Sequence, residues 1–221
     1  MITVHHLENS RSQRILWMLE ELGLDYKLQR YAREPSMQAP ASLRAVHPLG
    51  KSPVITDGDT TLAESGAILE YLSAVYGGGR FTPAAGTPEW LHYTYFMHYA
   101  EGSLMPLLFM KLVFGKLPER VPFLMRPVAR AISGGADKTL LAPQISNHFA
   151  FLEGELHKRE WFAGASFSAA DIQMSFPLEA AAARSPLFAR LPKLKAFVDR
   201  IQARPAYKRA VEKGGHYEIL K

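Results

Sequence analysis

Ser10 closes the run ITVHHLENS, where a short β-prone segment from Ile2 to Leu7 gives way to a helix-forming one. A hydroxyl at such a junction shares its position with the unpaired amides of the first helical turn. A ligand thiolate held there would receive an O–H hydrogen bond and the positive end of the helix dipole. Both lower a thiol pKa from about 8.5 towards neutrality. Asn9 and Ser12 offer the same contact from neighbouring positions, and Ser10 also reads as a plain helix cap.

A second cluster lies in GKSPVITDGDTTLAES, residues 50–65. Pro53 has no backbone N–H and stands where a strand begins. A cis Ser52-Pro53 bond would leave the N–H and C=O of Ser52 aimed outward, ready to pair with an extended peptide; a trans proline at a strand start is the plain alternative. Glu64 and Ser65 open a helix, so the serine and the helix amides suit a carboxylate and Glu64 suits an ammonium group. The two also read as ordinary first-turn and capping residues. Lys51 is placed for a second carboxylate, and the stretch as a whole has the shape of a site for a small acidic peptide.

The elements that must hold these residues follow a β-α-β-α-β-β-α order. Ile15, Leu16, Leu19 and Leu22 fall at helical spacing with Gly23 as the stop, a second strand fits Tyr26 to Tyr31, and ASLRAV makes a short helix. VITDGDTTLA is a hairpin signal, and ESGAILEYLSAVY follows with apolar residues on one helical face. This predicts a mixed four-stranded sheet with helices on its faces over residues 1–78. GGGRFTPAAGTP has linker composition, placing a connection at 79–88. Residues 89–221 read as all-helical, with helices expected over Glu89–Gly115, Pro122–Ser133, Ala142–Lys158, Ala169–Arg184 and Pro192–Ala203. The fold class is therefore α/β plus all-α. Ser168 and Asp171 form a capping box with Phe167 and Ile172 as its staple, a folding signal without chemistry.

Composition removes several classes of function. The 221 residues include no cysteine, which excludes disulfides, thiolate metal sites and cysteine nucleophiles, so sulfur chemistry must use a borrowed thiol. The net charge is +5, and the basic excess lies beyond residue 80, but its basic residues are scattered singly among apolar ones, so no nucleic-acid partner is expected. SLMPLLFMKLVF contains a proline and a lysine and is shorter than a membrane span, so no membrane partner is expected either. The N-terminus does not read as a secretory signal, making the cytoplasm the expected location. His5 and His6 point to opposite faces of a strand, and His92 and His98 are six apart on a helix, so no metal site is expected.

Four motifs in order, the strand-Ser-helix start, HPLGKSPV, LAESGAILEYL and FSAADIQMSFPL, together resemble the glutathione transferase superfamily, most closely a serine-type branch of fungi and bacteria. The resemblance spans the whole chain. It implies a thioredoxin-like N-terminal domain followed by an all-helical C-terminal domain, a homodimer, and glutathione as co-substrate, with no metal. It implies that the Ser52-Pro53 bond is cis and that the Ser52 backbone pairs with the cysteinyl part of glutathione. Glu64 and Ser65 then hold the γ-glutamyl end, and Lys51, assisted by Gln38, the glycyl carboxylate.

The activating hydroxyl falls on Ser10, four residues before Arg14, with Asn9 and Ser12 as alternatives. No tyrosine precedes Tyr26, which sets aside the tyrosine-type arrangement. The resemblance offers Glu101 as the counterpart of an acidic residue that in some relatives reaches the glutathione of the other subunit, with an ordinary helix-surface charge as the plain alternative. The implied activity is conjugation of the thiolate to a small hydrophobic electrophile, with reduction of organic hydroperoxides as a companion. Tyr95, Phe96, Tyr99 and Met105 are candidates for the lining of the electrophile pocket, with a place in the helix core as the plain alternative for each. The rival is a non-catalytic glutathione-binding or regulatory scaffold of the same fold.

Overall fold

The computed structural model describes residues 1–34, 38–215 and 217. Strand β1 (Ile2–Leu7) lies at the centre of the sheet beside β2 (Tyr26–Tyr31), in parallel, with Ile2 opposite Tyr26 and Leu7 opposite Tyr31. Helix α1 (Gln13–Leu22) makes the crossover between them and stops at Gly23, whose φ of 70° is a left-handed position that glycine takes without strain. After the short α2 (Ala41–Val46), strands β3 (Val54–Asp57) and β4 (Thr60–Ala63) form the expected hairpin around Gly58-Asp59. The strand order is β2-β1-β3-β4, and α3 (Ser65–Tyr76) packs back on α1. This is a thioredoxin-like domain.

Among the described residues no strand follows β4. The long helix expected over 89–115 is present as α4 (Pro88–Tyr99) and α5 (Met105–Arg120), joined without a break by the π-helical turn Ala100–Leu104. The helix expected from Pro122 starts later: residues 123–125 form a 3₁₀ turn, and α6 (Arg126–Ala136) runs through a second π turn, Asp137–Leu141, into α7 (Ala142–Lys158). Helices α8 (Ala169–Arg184) and α9 (Pro192–Ala203) lie where the sequence puts them. One helix is additional. α10 (Pro205–Gly214) packs against α1, and its short length and the glycines at its C-terminal end hid its pattern.

Helix α8 is the axis of the helical domain, and most of its residues are buried between α1, α3, α4 and α9. Its N-terminus is closed by Asp171, which accepts from the backbone N–H groups of Ser168 and Phe162, both at 2.8 Å, and from the Ser168 hydroxyl at 3.0 Å. One continuous core runs from Val4 and Ile55 of the sheet through α1 and α3 to α8 and α9, so the two layers hold each other in place. The site described next lies on this seam.

Candidate functional site

Strand pairing gathers the polar residues of the sheet domain at one end. Val54 is opposite both His5 and Ala63, and the same register carried on puts Ser52 between Leu7 and Ser65. The ladder stops there, and the Ser52-Pro53 bond is cis. The Ser52 hydroxyl stitches the junction: it donates to the His5 carbonyl at 3.2 Å and accepts from the Leu7 N–H at 3.3 Å. No backbone hydrogen bond of Ser52 occurs among the described residues.

Beyond β1, Asn9 takes a left-handed φ of 51°, a conformation its short polar side chain tolerates, and turns the chain towards α1. Ser10 follows, 7% exposed, with Oγ 2.8 Å from Ser12 Oγ and 3.4 Å from Ser52 Oγ, and it accepts from the Ser12 N–H at 3.2 Å. Helix α1 begins only at Gln13, so Ser10 caps the turn that leads into the helix.

Ser12 is fully buried, and its hydroxyl lies 2.8 Å from His6 Nδ1 and 3.3 Å from the Leu7 carbonyl. His6 Nε2 faces the Gly214 carbonyl at 3.1 Å, which can only accept, so Nε2 carries the proton. Burial keeps the His6 pKa below its ordinary value, so Nδ1 is an acceptor and takes the Ser12 O–H. Ser12 Oγ is then free to accept from Ser10. The chain Gly214, His6, Ser12, Ser10 has one open end, at Ser10. Ser12 is therefore buried between His6 and Ser10.

Glu64 stands before α3 with φ 74° and ψ 125°, a strained conformation for a residue with a Cβ. No side chain caps this helix, and the buried Ser65 hydroxyl makes no hydrogen bond among the described residues. Lys51 is exposed and makes no ion pair among them. Gln38 shares its rim, because Gly50 is packed so closely on the 39–44 segment that a Cβ on it would stand 3.8 Å from that of Ala39.

From the helical side the π turn presents Glu101, whose Oε1 receives Nε of Arg11 at 2.9 Å and Nη1 of Arg14 at 2.7 Å. Burial alone would raise the Glu101 carboxyl; the guanidinium groups of Arg14 and Arg11 outweigh it and hold the carboxyl below its ordinary range. Within its own chain Glu101 is thus committed through Oε1 to Arg11 and Arg14. Arg14 is wholly buried and needs this carboxylate as its counter-charge.

Of the aromatic candidates on α4, Phe96 and Tyr99 lie in the core, whereas Tyr95 is exposed. Phe96 is fully buried against Phe162 and Phe151. Tyr99 is buried and bonds His148 through its hydroxyl, and Tyr95 stacks on Tyr99 with its edge towards Phe151. These three face α7, because positions 95 and 99 share a helix face that the π turn separates from Glu101 and Met105. Met105 does belong at the seam, packed with Phe176 and Tyr217. The guanidinium of Arg11 lies over the Phe176 ring at 4.9 Å. Arg11, Phe176 and Tyr217 were missed by sequence reasoning; the only available signal for Arg11 was its place beside Ser10. Among the described residues no group of three or more His, Cys, Asp or Glu could hold a metal ion.

A sheet-end site of this kind beside an all-helical domain defines a thioredoxin-like, ligand-binding class of two-domain proteins. The comparisons narrow it. The glutathione S-transferase N-terminal domain family matches residues 10–75, and the glutathione S-transferase C-terminal domain family matches residues 106–205. Glutathione S-transferase 3 of Schizosaccharomyces pombe is 36% identical over 215 residues, covering 96% of this chain and 88% of its own. A solved glutathione S-transferase from Actinobacillus pleuropneumoniae is 33% identical with a TM-score of 0.79, covering 100% of this chain and 96% of its own. A theta class enzyme from Xanthomonas axonopodis pv. citri, solved with glutathione bound, is 25% identical with a TM-score of 0.73, covering 95% of this chain and 96% of its own. The chain belongs to the glutathione S-transferase family.

Proposed function

We propose that this protein transfers glutathione to hydrophobic electrophiles, with Ser10 donating a hydrogen bond to the glutathione thiolate. The observation that carries the reading is the hydrogen-bonded chain from Gly214 through His6 and Ser12, whose open end is Ser10, 3.4 Å from the Ser52 hydroxyl. When a thiolate arrives, Ser10 turns its proton from Ser12 to sulfur, while the Ser12 N–H still donates to Ser10 Oγ and makes its O–H a better donor. Asn9 holds the turn by its left-handed backbone.

The peptide lies along the sheet end. The cysteinyl part pairs with the Ser52 main chain ahead of Pro53, the γ-glutamyl end meets Glu64, Ser65 and the uncapped amides of α3, and the glycyl carboxylate meets Lys51 and Gln38. The thiolate attacks the electrophilic carbon, a sulfur–carbon bond forms, and the leaving group departs with its electron pair; the thiol proton has already passed to solvent. The protein acts in the cytoplasm as a homodimer, which would cover apolar residues that stand exposed on α4 and α5, among them Leu91, Phe109 and Leu112.

The test is binding to immobilised glutathione together with conjugation of 1-chloro-2,4-dinitrobenzene and reduction of cumene hydroperoxide. Binding and conjugation that fall in Ser10→Ala support the reading. Binding with neither activity would instead favour a glutathione-binding scaffold, and absence of binding would overturn the glutathione reading.

A further inference from the structure

Two arginines meet one carboxylate where the helical domain faces Ser10, and the count leaves a positive charge over. Arg11 and Arg14 both donate to the same oxygen of Glu101, so the trio carries a formal charge of +1. The two arginines are not equivalent. Arg14 is only 1% exposed and lies among Glu101, Gln173 and the Phe176 ring, out of reach of any ligand. The Arg11 side chain is 37% exposed and uses only Nε in hydrogen bonding among the described residues. Its two terminal nitrogens are therefore available as a planar, bidentate donor pair.

Position matters as much as charge. Arg11 directly follows Ser10 in the turn that leads into α1, and its guanidinium reaches Glu101 and Phe176 on the helical side of the same seam. The group is fixed by Glu101 on one edge and by the face of Phe176, 4.9 Å from the ring centroid, on the other. Phe176 continues into an apolar wall with Met105 and Tyr217, flanked by Leu108 and Ala180. Burial raises the Tyr217 hydroxyl well above its ordinary pKa, so the phenol itself stays neutral, and it donates to Glu179 behind it at 3.4 Å. An apolar surface that ends in a clamped, half-exposed guanidinium beside a thiolate fits a molecule with an apolar body and an anionic substituent.

We propose that Arg11 is a specificity-determining residue for the second substrate, and that the favoured electrophiles are aromatic or apolar molecules bearing a carboxylate, received by the Arg11 terminal nitrogens while the apolar body lies on Phe176. This rests on the glutathione transferase reading above. Glu101 serves as a positioning residue, because it holds the guanidinium over Phe176 and is itself neutralised by Arg14.

The experiment compares an anionic electrophile, 4-chloro-3-nitrobenzoate, with neutral 1-chloro-2,4-dinitrobenzene at saturating glutathione, in wild type, Arg11→Lys and Arg11→Gln. Binding of the two corresponding S-aryl glutathione conjugates is measured by calorimetry, which needs no turnover, and thermal unfolding checks that each variant is folded. In Arg11→Gln the ratio of kcat/KM for the anionic over the neutral electrophile falls about tenfold, the worth of one charge-assisted contact, and the ratio of conjugate affinities falls with it. Arg11→Lys keeps part of both ratios. Ratios that do not move in Arg11→Gln overturn the inference alone, as does an equal loss with both electrophiles traced to weaker glutathione binding. Wild type that binds neither conjugate overturns the glutathione reading and the inference together.

Discussion

Helix α3 starts at Ser65 behind Glu64, and helix α8 starts behind Ser168 with Asp171 in its first turn. Each start carries one serine and one acidic residue, yet they use them in opposite ways. At α8 the carboxylate accepts from two backbone N–H groups and a hydroxyl, and nothing is left over. At α3 no side chain caps the amides, Ser65 Oγ has no partner among the described residues, and Glu64 is held at φ 74°. A helix start that serves folding satisfies its donors internally. One that serves binding keeps donors unspent and tolerates local strain, which the surrounding packing must offset.

The contrast can be broken at either end. Asp171→Ala has the largest expected effect: it strands three buried donors and lowers stability by about 3–5 kcal/mol in chemical denaturation. A normal unfolding curve with a weakened affinity for glutathione would reverse the assignment of the two helix starts.

Glu179, further along α8, sharpens the same point through pH. Burial pushes its carboxyl from 4.5 up to about 7, against hydrogen bonds from Tyr207 and Gln202 that pull it down. Between those values the unfolded chain has lost the proton while the folded one keeps it, so stability falls as pH rises through this window. The loss is about 3 kcal/mol. Glu179→Gln should flatten the slope between pH 6 and 7, leaving the part below it that belongs to Asp171, raised by burial to about 6. A slope unchanged in Glu179→Gln would assign the dependence elsewhere.

Ser65→Ala is expected to weaken glutathione binding about tenfold, the value of one hydrogen bond to a charged group, with little change in the unfolding midpoint. Titration calorimetry reads the first and thermal melting the second. The smallest effect separates strain from contact: Glu64→Gly relieves the positive φ and should stabilise the chain by about 1 kcal/mol while glutathione affinity drops. Stability lost in Glu64→Gly would mean that Glu64 holds the fold.

The sheet domain was legible because its signals are local. Gly58 in the hairpin, the stop at Gly23 and the Ser168–Asp171 box each act within a few residues, and hydrophobic spacing found α1 and α3. The register that aligns Ser52 with Ser65 then follows from the hairpin, so the gathering of the polar candidates at one sheet end was readable too. The helical side was not. Tyr95, Phe96 and Tyr99 carry the residue types of a pocket, but which helix face meets α7 depends on a π turn that has no reliable sequence signal. Arg11 and Glu101 are 90 positions apart, and only the packing of α1 on the helical domain makes them a pair. Phe176 and Tyr217 join them for the same reason.

The central claim is that Ser10, as the open end of a buried hydrogen-bonded chain, lowers the pKa of the bound thiol. Its direct test is the ultraviolet titration of the glutathione thiolate on the protein, in wild type and in Ser10→Ala. The account predicts a bound thiol titrating below the ordinary value of about 8.5 in wild type and returning towards it in Ser10→Ala. An equally depressed pKa in Ser10→Ala would contradict it.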